Sequence, residues 1–168
     1  LSDLGAECLE YPTIEIMAPA DPEPLRQAIA NLSAYDWIVF TSVNGVVYFF
    51  NHLFAADKDV RALGHLKTAA IGPATASRLK DFGLTSDIVP ETYRAESVVA
   101  AFKTEQLKNK QILLPRAKEA RPVLPIELTK MGAAVTEVPA YETLKTTENS
   151  ADLVEQLKGK QIDIITFT

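Results

Sequence analysis

The stretch Asp36-Trp37-Ile38-Val39-Phe40-Thr41 returns 127 positions later as Asp163-Ile164-Ile165-Thr166-Phe167-Thr168, with four identities in six positions. The same offset relates four further pairs: Gly5-Ala6 and Gly132-Ala133, Glu10 and Glu137, Pro12 and Pro139, and Glu15 and Glu142. Solenoids and propellers use much shorter units, of roughly 20–50 residues. The spacing therefore indicates that half of a molecule was duplicated, so that one lobe was copied to make a second.

The offset also predicts segments that the printed sequence lacks. Residues 111–131 have no counterpart before Leu4, and the run ending at Thr168 lacks the helix that follows Thr41. Chain ends normally lie at the surface, and a buried strand is an unusual terminus. We therefore expect residues 1–168 to be part of a longer protein.

Charge and cysteine content narrow the class of protein. The formal net charge of −5 argues against a nucleic-acid-binding protein, because phosphate contacts need clustered Lys and Arg. Cys8 is the only cysteine, so neither an internal disulfide nor a cysteine-built zinc site can form. No apolar run approaches the roughly 18 residues of a membrane span. The lone cysteine favours a reducing compartment, so we expect a cytoplasmic protein with no membrane or nucleic-acid partner. A monomer is a separate expectation that these observations do not test.

Strands and helices alternate along most of the chain, which is typical of parallel sheets built from βαβ units. The apolar run Trp37–Phe40 indicates a central strand buried on both faces. Five expected strands between Trp37 and Val138 are enough for one flavodoxin-like sheet. The expected helices cover 24–32, the residues after Ser42, the Gly72 turn to Phe82, 96–107 and 122–131, and the expected strands cover 6–11, 13–18, 37–40, 68–71, 88–89, 111–114 and 134–138.

The predicted fold class is α/β, with two flavodoxin-like parallel-sheet lobes joined by a two-stranded β-ladder linker. Residues 21–138 are expected to form a complete second lobe. Residues 1–12 and 150–168 would contribute to a first lobe that is incomplete in this chain. Residues 13–20 and 139–149 would be the linker strands, and a cleft between the lobes is the expected site.

Turns between strands and helices are expected at the carboxyl edge of the complete lobe, where open parallel sheets bind ligands. Small and hydroxylated residues there expose backbone N–H groups at helix N-termini, which suits a ligand with several carboxylates. These turns cover 41–45, 72–75, 93–97 and 115–118. The candidate substrate-binding residues are Thr41, Ser42, Asn44, Gly45, Gly72, Pro73, Ala74, Thr75, Ala95, Glu96 and Arg116, with Thr168 as the repeat equivalent of Thr41.

Each turn has a plainer interpretation that stays open. Thr41-Ser42 and Thr75 are good helix N-caps, and Gly72-Pro73 lacks the spacing of a P-loop or dinucleotide fingerprint. The basic residues in and near these turns fit solvated surface charges equally well: Arg94, Arg116, Lys118 and Arg121.

Tyr141 is the candidate catalytic residue. It follows Pro139 by two positions, where the chain is expected to leave the lobe. A neutral tyrosine can donate a hydrogen bond or a proton near pH 7, although a tyrosine at a hinge can also serve packing alone. No Ser-His-Asp grouping, paired-carboxylate site or metal cluster stands out, so the sequence gives little support to a hydrolase or a metalloenzyme.

These residues carry a resemblance to a known family. Four runs carry it: Trp37-Ile38-Val39-Phe40-Thr41-Ser42-Val43-Asn44-Gly45-Val46, Ala70-Ile71-Gly72-Pro73-Ala74-Thr75-Ala76, Pro115-Arg116 and Val138-Pro139-Ala140-Tyr141-Glu142-Thr143. In this order and together with the duplication, they resemble uroporphyrinogen-III synthase. The resemblance implies a cofactor-independent lyase that closes hydroxymethylbilane, a linear tetrapyrrole rich in carboxylates, with loss of water and inversion of the last pyrrole ring.

The resemblance also implies residue roles. Thr41, Ser42 and the Gly72-Pro73-Ala74-Thr75 turn would face the substrate, and Tyr141 would assist the departure of hydroxide. Two rival interpretations remain: a non-catalytic two-lobed module that binds a small ligand or serves regulation, and a flavodoxin-like or receiver domain. A receiver needs acidic residues at its strand ends, whereas Thr41, Gly72 and Arg116 stand there.

Overall fold

A five-stranded sheet organises the computed structural model, which describes residues 1–146 and 150–166. The strands are β1 (Ile14–Met17), β2 (Trp37–Phe40), β3 (Lys67–Ala70), β4 (Gln111–Ala117) and β5 (Ala134–Lys145). The helices are α1 (Glu23–Ala30), α2 (Val43–Ala55), α3 (Pro73–Asp81), α4 (Ala95–Phe102), α5 (Val123–Lys130) and α6 (Ser150–Lys158). Short 3₁₀ helices cover Ser2–Leu4, Leu32–Ala34 and Val60–Leu63.

The strand order β1-β5-β4-β2-β3 places β2 at a topological switch point. β2 pairs in parallel with β3 on one side and with β4 on the other, and β4 pairs in parallel with β5. The chain therefore leaves the carboxyl end of β2 toward one half of the sheet and later returns to the other half. Open sheets bind ligands in the crevice at such a reversal.

Apolar clusters cover both faces of the sheet, because successive strand residues point to opposite sides. Ile38 and Phe40 of β2 pack into one cluster with α1, α2 and α3. Trp37 and Val39 pack into the other cluster with α4 and α5. All four β2 residues are buried, as the continuous apolar run predicts.

The contacts of the chain define two compact units. The larger unit is Ile16–Thr143 and holds most of the sheet and α1 to α5. The smaller unit comprises Leu1–Glu15 and Leu144–Thr168 and holds α6. Within it, the backbone N–H of Thr146 donates to the carbonyl of Thr13 at 3.1 Å.

Several element predictions were wrong. The described residues contain no strand over 6–11, where the chain is irregular and forms no ladder. Ile88 forms only an isolated parallel bridge with Ala69, so 88–89 is not a full strand. The helix expected to reach Leu107 ends at Phe102, where the hydroxyl of Thr104 donates to the carbonyl of Ala101.

The expected break after Val138 is also absent. β5 runs continuously from Ala134 to Lys145, and β1 belongs to the same sheet. Pro139 does not interrupt the strand, although it lacks a backbone donor. The assignment of 13–20 and 139–149 to a linker between lobes stays a prediction.

We predict that Phe50→Ala destabilises the chain strongly. The Phe50 side chain is fully buried, and its ring stacks on Phe82 with centroids 4.2 Å apart. Truncating a buried phenylalanine leaves a cavity and costs about 3–5 kcal/mol in the free energy of unfolding. Phe54→Ala on the same helix is the control, since Phe54 is 46% exposed and should cost about 1 kcal/mol. Equal losses in the free energy of unfolding for the two variants, measured by urea unfolding, would contradict this packing.

Candidate functional site

A pocket of about 230 Å³ opens at the carboxyl edge of the sheet, within the larger unit. It gathers residues from β4 and β5, from the turns after β2 and β3, and from the starts of α4 and α5 with the segments that lead into them. Its lining residues are Thr41, Ile71, Tyr93, Arg94, Ala95, Arg116, Ala117, Ala120, Arg121, Leu124 and Tyr141. The switch point of the sheet therefore carries a concave surface, as open parallel sheets favour.

Tyr141 is held at the wall of this pocket by three contacts. Its hydroxyl donates to Oγ of Ser42 at 3.0 Å. Its ring stacks on the ring of Tyr48, and the Tyr48 hydroxyl donates to the carbonyl of Ile16 at 3.0 Å. The backbone carbonyl of Tyr141 accepts from the Lys118 N–H at 3.0 Å. At 8% exposure, the phenol is fixed while still bordering the pocket.

A β-bulge in β5 sets the direction of the Tyr141 side chain. Arg116 pairs with Pro139 and Ala117 pairs with Tyr141, so Ala140 is an extra residue on β5. Val138 and Ala140 pack in the same apolar cluster, and Tyr141 joins them there although it directly follows Ala140. Bulges often re-aim a side chain next to a functional site. Strict alternation would have turned Tyr141 to the opposite face.

Ser42 is the N-cap of α2 and ties this helix to Tyr141. Its Oγ accepts from the backbone N–H of Gly45 at 2.9 Å. Because the same oxygen accepts from Tyr141, both lone pairs are used and its own proton is left to donate elsewhere. A Cβ at position 45 would lie 3.1 Å from Ser42 Oγ and 3.3 Å from the Pro115 carbonyl, so glycine permits this close packing.

Arg116 is buried at the carboxyl edge of the sheet, with only 7% of its surface exposed. Its Nη1 donates to Oε2 of Glu137 at 3.2 Å, and its Nη2 donates to the carbonyl of Arg121 at 2.7 Å. Its Nε is buried and has no hydrogen-bond partner among the described residues. The interpretation of Arg116 as a solvated surface charge was wrong, because β4 extends three residues beyond its predicted end at Leu114 and carries Arg116 inside.

The Gly72 turn packs against Tyr93. The backbone of Gly72 is extended, so the glycine is not needed for its conformation. A Cβ there would lie 2.5 Å from Cδ1 of Tyr93, so the glycine makes room for that ring. Gly72 is itself the N-cap of α3, and Thr75 lies buried in the first turn of the helix. The N-cap prediction was therefore right for Ser42 and wrong for Thr75.

Apart from Thr75, which is buried in the first turn of α3, the candidate residues divide into four groups by position. Thr41, Ala95, Arg116 and Tyr141 line the pocket, and Ser42, Gly45 and Gly72 touch residues that line it. Pro73, Ala74 and Glu96 are exposed at helix starts, and Asn44 is partly buried in the first turn of α2. Thr168 lies outside the described residues.

Seven of the lining residues were not among the candidates, although Tyr93, Arg94 and Ala117 belong to turns that the sequence had indicated. Ile71 and Leu124 fit the apolar core pattern, and the alanines carry no chemical signal. For Arg94 and Arg121, the sequence left a solvated surface charge and a role in ligand binding equally open. Their sequence separation of 27 positions hides the fact that both border one pocket with Arg116. The seven residues are Ile71, Tyr93, Arg94, Ala117, Ala120, Arg121 and Leu124.

Glu142 forms a polar contact next to Tyr141. Its Oε1 accepts from the backbone N–H of Ala20 and from Nζ of Lys118, each at 2.9 Å. The backbone hydrogen bond from Ala20, followed by that from Lys118, lowers the pKa of the Glu142 carboxyl below its ordinary value of 4.5. The carboxylate fastens the segment before α1 to the loop after β4.

Metal-ligand geometry is absent from residues 1–146 and 150–166, where no group of three His, Cys, Asp or Glu side chains converges. Over the same residues, none of the helices has the length and apolarity needed to cross a membrane.

Comparison with known proteins gives a consistent likeness. The family model described as Uroporphyrinogen-III synthase HemD matches residues 1–168. The chain is 33% identical over 168 residues to the porphyrin biosynthesis protein HemD of Ruminiclostridium josui, covering all of this chain and 33% of that protein. It is 32% identical over 165 residues to the uroporphyrinogen-III synthase of Synechococcus elongatus, covering 98% of this chain and 62% of that protein. The chain thus spans between a third and somewhat under two thirds of these relatives.

The fold is also similar to a solved structure. A mutant uroporphyrinogen III synthase from Thermus thermophilus superposes with a TM-score of 0.69 at 23% identity, covering 96% of this chain and 63% of that one. This likeness supports the mixed α/β architecture.

We predict that the Glu142 contact gives a pH-dependent contribution to stability. Because its pKa is lowered in the folded state, the contribution is present above about pH 4.5 and is lost as the pH falls through the lowered pKa. Glu142→Gln should therefore lower the melting temperature at pH 7, and the difference from the unchanged chain should close in acid. Glu127→Gln, at the exposed pair with Lys130, is the control and should show little difference at either pH. If the difference in melting temperature between Glu142→Gln and the unchanged chain were as large at low pH as at pH 7, the ionic contact would be contradicted.

Proposed function

Because the chain belongs to the uroporphyrinogen-III synthase family, we propose that it supplies the residues that close hydroxymethylbilane with loss of water and inversion of the terminal pyrrole ring. The observation that carries this proposal is the Tyr141 hydroxyl, held by Ser42 at the wall of the pocket. The proposed activity is that of a lyase-type cyclase that works without a cofactor.

The reaction asks for orientation more than for strong acid or base catalysis. Spontaneous closure of the linear tetrapyrrole gives the isomer with an uninverted ring, so the protein has to hold the chain in one folded geometry. Fixing two reacting groups in a near-attack arrangement can contribute about 7–11 kcal/mol toward a barrier. A pocket at a rigid sheet edge, with Tyr141 locked by a hydrogen bond and ring stacking, suits this task.

In the proposed first step, the C–O bond of the hydroxymethyl group breaks and its electron pair stays on oxygen. The Tyr141 hydroxyl donates its proton to that oxygen, so water leaves and an electrophilic azafulvenium cation remains beside the Tyr141 phenolate. The substituted carbon of the terminal ring then attacks this electrophile and forms a spiro intermediate, which reopens and recloses. A proton released from the pyrrole carbon in the final closure restores the phenol.

Ser42 can support Tyr141 during this step. In the resting state the phenol donates to Ser42 Oγ, which already accepts from the Gly45 N–H. When Tyr141 turns its proton to the leaving oxygen, the Ser42 hydroxyl proton can donate to the phenolate oxygen. The N-terminus of α2 favours negative charge at this point.

We also propose the features that rest on the repeat and the resemblance. These are a two-lobed organisation with 13–20 and 139–149 as linker strands, and a cytoplasmic monomer that acts on a small tetrapyrrole without nucleic acid or membrane. Thr41, Asn44, Pro73, Ala74, Thr75, Glu96 and Thr168 remain proposed substrate-facing positions. The alternative, a non-catalytic ligand-binding module, predicts substrate binding without formation of the type III isomer.

We predict that Tyr141→Phe slows cyclisation several-fold without abolishing it. The phenylalanine keeps the ring stacking on Tyr48 but cannot assist the leaving hydroxide. The assay follows type III and type I isomers by chromatography, with the protein as its gene encodes it. Tyr48→Phe is the matched control, since its hydroxyl donates to a backbone carbonyl instead of Ser42. Equal rates for the unchanged protein and Tyr141→Phe would remove Tyr141 from the mechanism.

We predict that Ser42 affects the reaction beyond its cap. Ser42→Ala should lower stability by about 1 kcal/mol through loss of the cap and should lower kcat. Ser42→Gly keeps most of the capping stability but also lacks the hydroxyl, so its kcat should fall equally. Ser42→Thr should restore the rate. If the rate follows the melting temperature across these three variants, capping is the whole role of Ser42.

A further inference from the structure

We propose that the pocket at the carboxyl edge of β4 is a carboxylate-anchoring subsite that takes one acid-bearing pyrrole ring, with Arg116 as its fixed cation and Arg94 and Arg121 at its rim. This inference deepens the proposed function and rests on it for the identity of the ligand. The sequence predicted carboxylate binding mainly by backbone N–H groups, with Arg116 among the candidates, but did not bring Arg94 and Arg121 together with it.

The charge of the pocket is opposite to that of the whole chain. The formal net charge is −5, yet three arginines line this one pocket: Arg94, Arg116 and Arg121. Among the described residues that line it, none is Asp or Glu. Such a local concentration of one sign attracts ligands of the other sign even when the protein as a whole is acidic.

Arg116 is held in place before any ligand arrives. Its contacts with Glu137 and with the Arg121 carbonyl fix the plane of the guanidinium. Arginine presents its donors in a rigid fork that matches a carboxylate, and a fixed fork loses little entropy on binding. The bond to the Arg121 carbonyl also fixes the backbone at Arg121, whose side chain is exposed at the rim.

Glu137 neutralises the positive charge of Arg116 only in part. The Arg116 side chain is 9% exposed, whereas that of its partner Glu137 is 48% exposed, so the carboxylate is well solvated and the guanidinium is not. The Arg116 Nε has no partner among the described residues. Burying a cation is costly unless it is paired and hydrogen-bonded. A ligand anion in the pocket would offset this cost, which favours binding of the ionised acid over a neutral ester.

The remaining walls suit a flat ring. Ile71, Leu124 and the alanines give an apolar surface, and the ring of Tyr93 lies over Gly72 at the edge. The volume of about 230 Å³ is below the roughly 300–1,000 Å³ of pockets that enclose a whole drug-sized ligand. The pocket therefore fits one part of a larger molecule, such as a single ring with its acidic arms.

The position of this subsite connects it to the proposed chemistry. Arg116 directly precedes Ala117, and Ala117 pairs with Tyr141 across the bulge. Both Arg116 and Tyr141 line the pocket. A ring anchored by its carboxylates would therefore lie beside the Tyr141 phenol, so the subsite fixes which part of the substrate meets the proton donor.

The test is isothermal titration calorimetry of the chain with a monopyrrole that carries two carboxylate side chains, and with its dimethyl ester as the neutral probe. We expect the acid to bind at least about tenfold more tightly than the ester and to weaken as salt is raised. Arg94→Gln and Arg121→Gln should each weaken binding of the acid about fivefold and leave the ester unaffected. Arg26→Gln is the control, because Arg26 is exposed away from this pocket and should change nothing.

Arg116→Lys tests the fork itself. It keeps the charge but cannot hold Glu137 and the Arg121 carbonyl together, so binding of the acid should weaken about tenfold. Circular dichroism checks that the variant folds, and if it does not, the two rim variants decide the question alone. Equal binding of acid and ester, or acid binding insensitive to both rim arginines, would overturn the subsite.

The proposed function can fail separately from this subsite. If the rim variants weaken binding of the acid while the unchanged protein never forms the type III isomer, the subsite stands and the cyclase proposal falls. If the protein forms the type III isomer and the rim variants bind the acid as the unchanged chain does, the subsite falls and the cyclase proposal stands.

Discussion

The burial of β2 on both faces is the constraint on which the rest of the structure depends. Four consecutive apolar residues require an apolar layer on each side and a parallel neighbour at each edge. Because β3 and β4 take those two edges, the chain must reverse direction across the sheet at β2. The turns after β2 and β4 therefore lie side by side. This arrangement places the pocket, the N-terminus of α2 and Tyr141 next to one another.

Much of the framework could be predicted from local sequence. The bounds of β2 were right, since a four-residue apolar run between Asp36 and Thr41 has the length of a strand and is too short for a helix. Ser42 was correctly identified as a cap because its side chain satisfies a nearby backbone donor, which is a local property. Predictions that needed a distant partner were less successful. Residues 6–11 were predicted as a strand, but a strand requires a neighbouring ladder, which no local pattern encodes.

The details of the candidate site were hidden for the same reason. The bulge at Ala140 depends on the register between β4 and β5, and Arg116 becomes buried only because β4 continues beyond Leu114. Arg94 and Arg121 look like ordinary surface charges until the sheet brings them to one pocket. Sequence thus located the correct edge, whereas the composition of the pocket required tertiary structure. The result is a site where an acidic protein concentrates positive charge on a rigid support.

The extra residue of β5 affects how related sequences should be aligned. The bulge at Ala140 is confined to one position of the ladder, so Pro139 still pairs with Arg116 and Tyr141 still pairs with Ala117 on β4. A homologue without this insertion would carry its tyrosine directly after the proline and would still present the phenol to the same face. Distance from Pro139 is therefore a poor guide to the equivalent tyrosine. Its hydroxyl partner at the start of α2 is the better landmark.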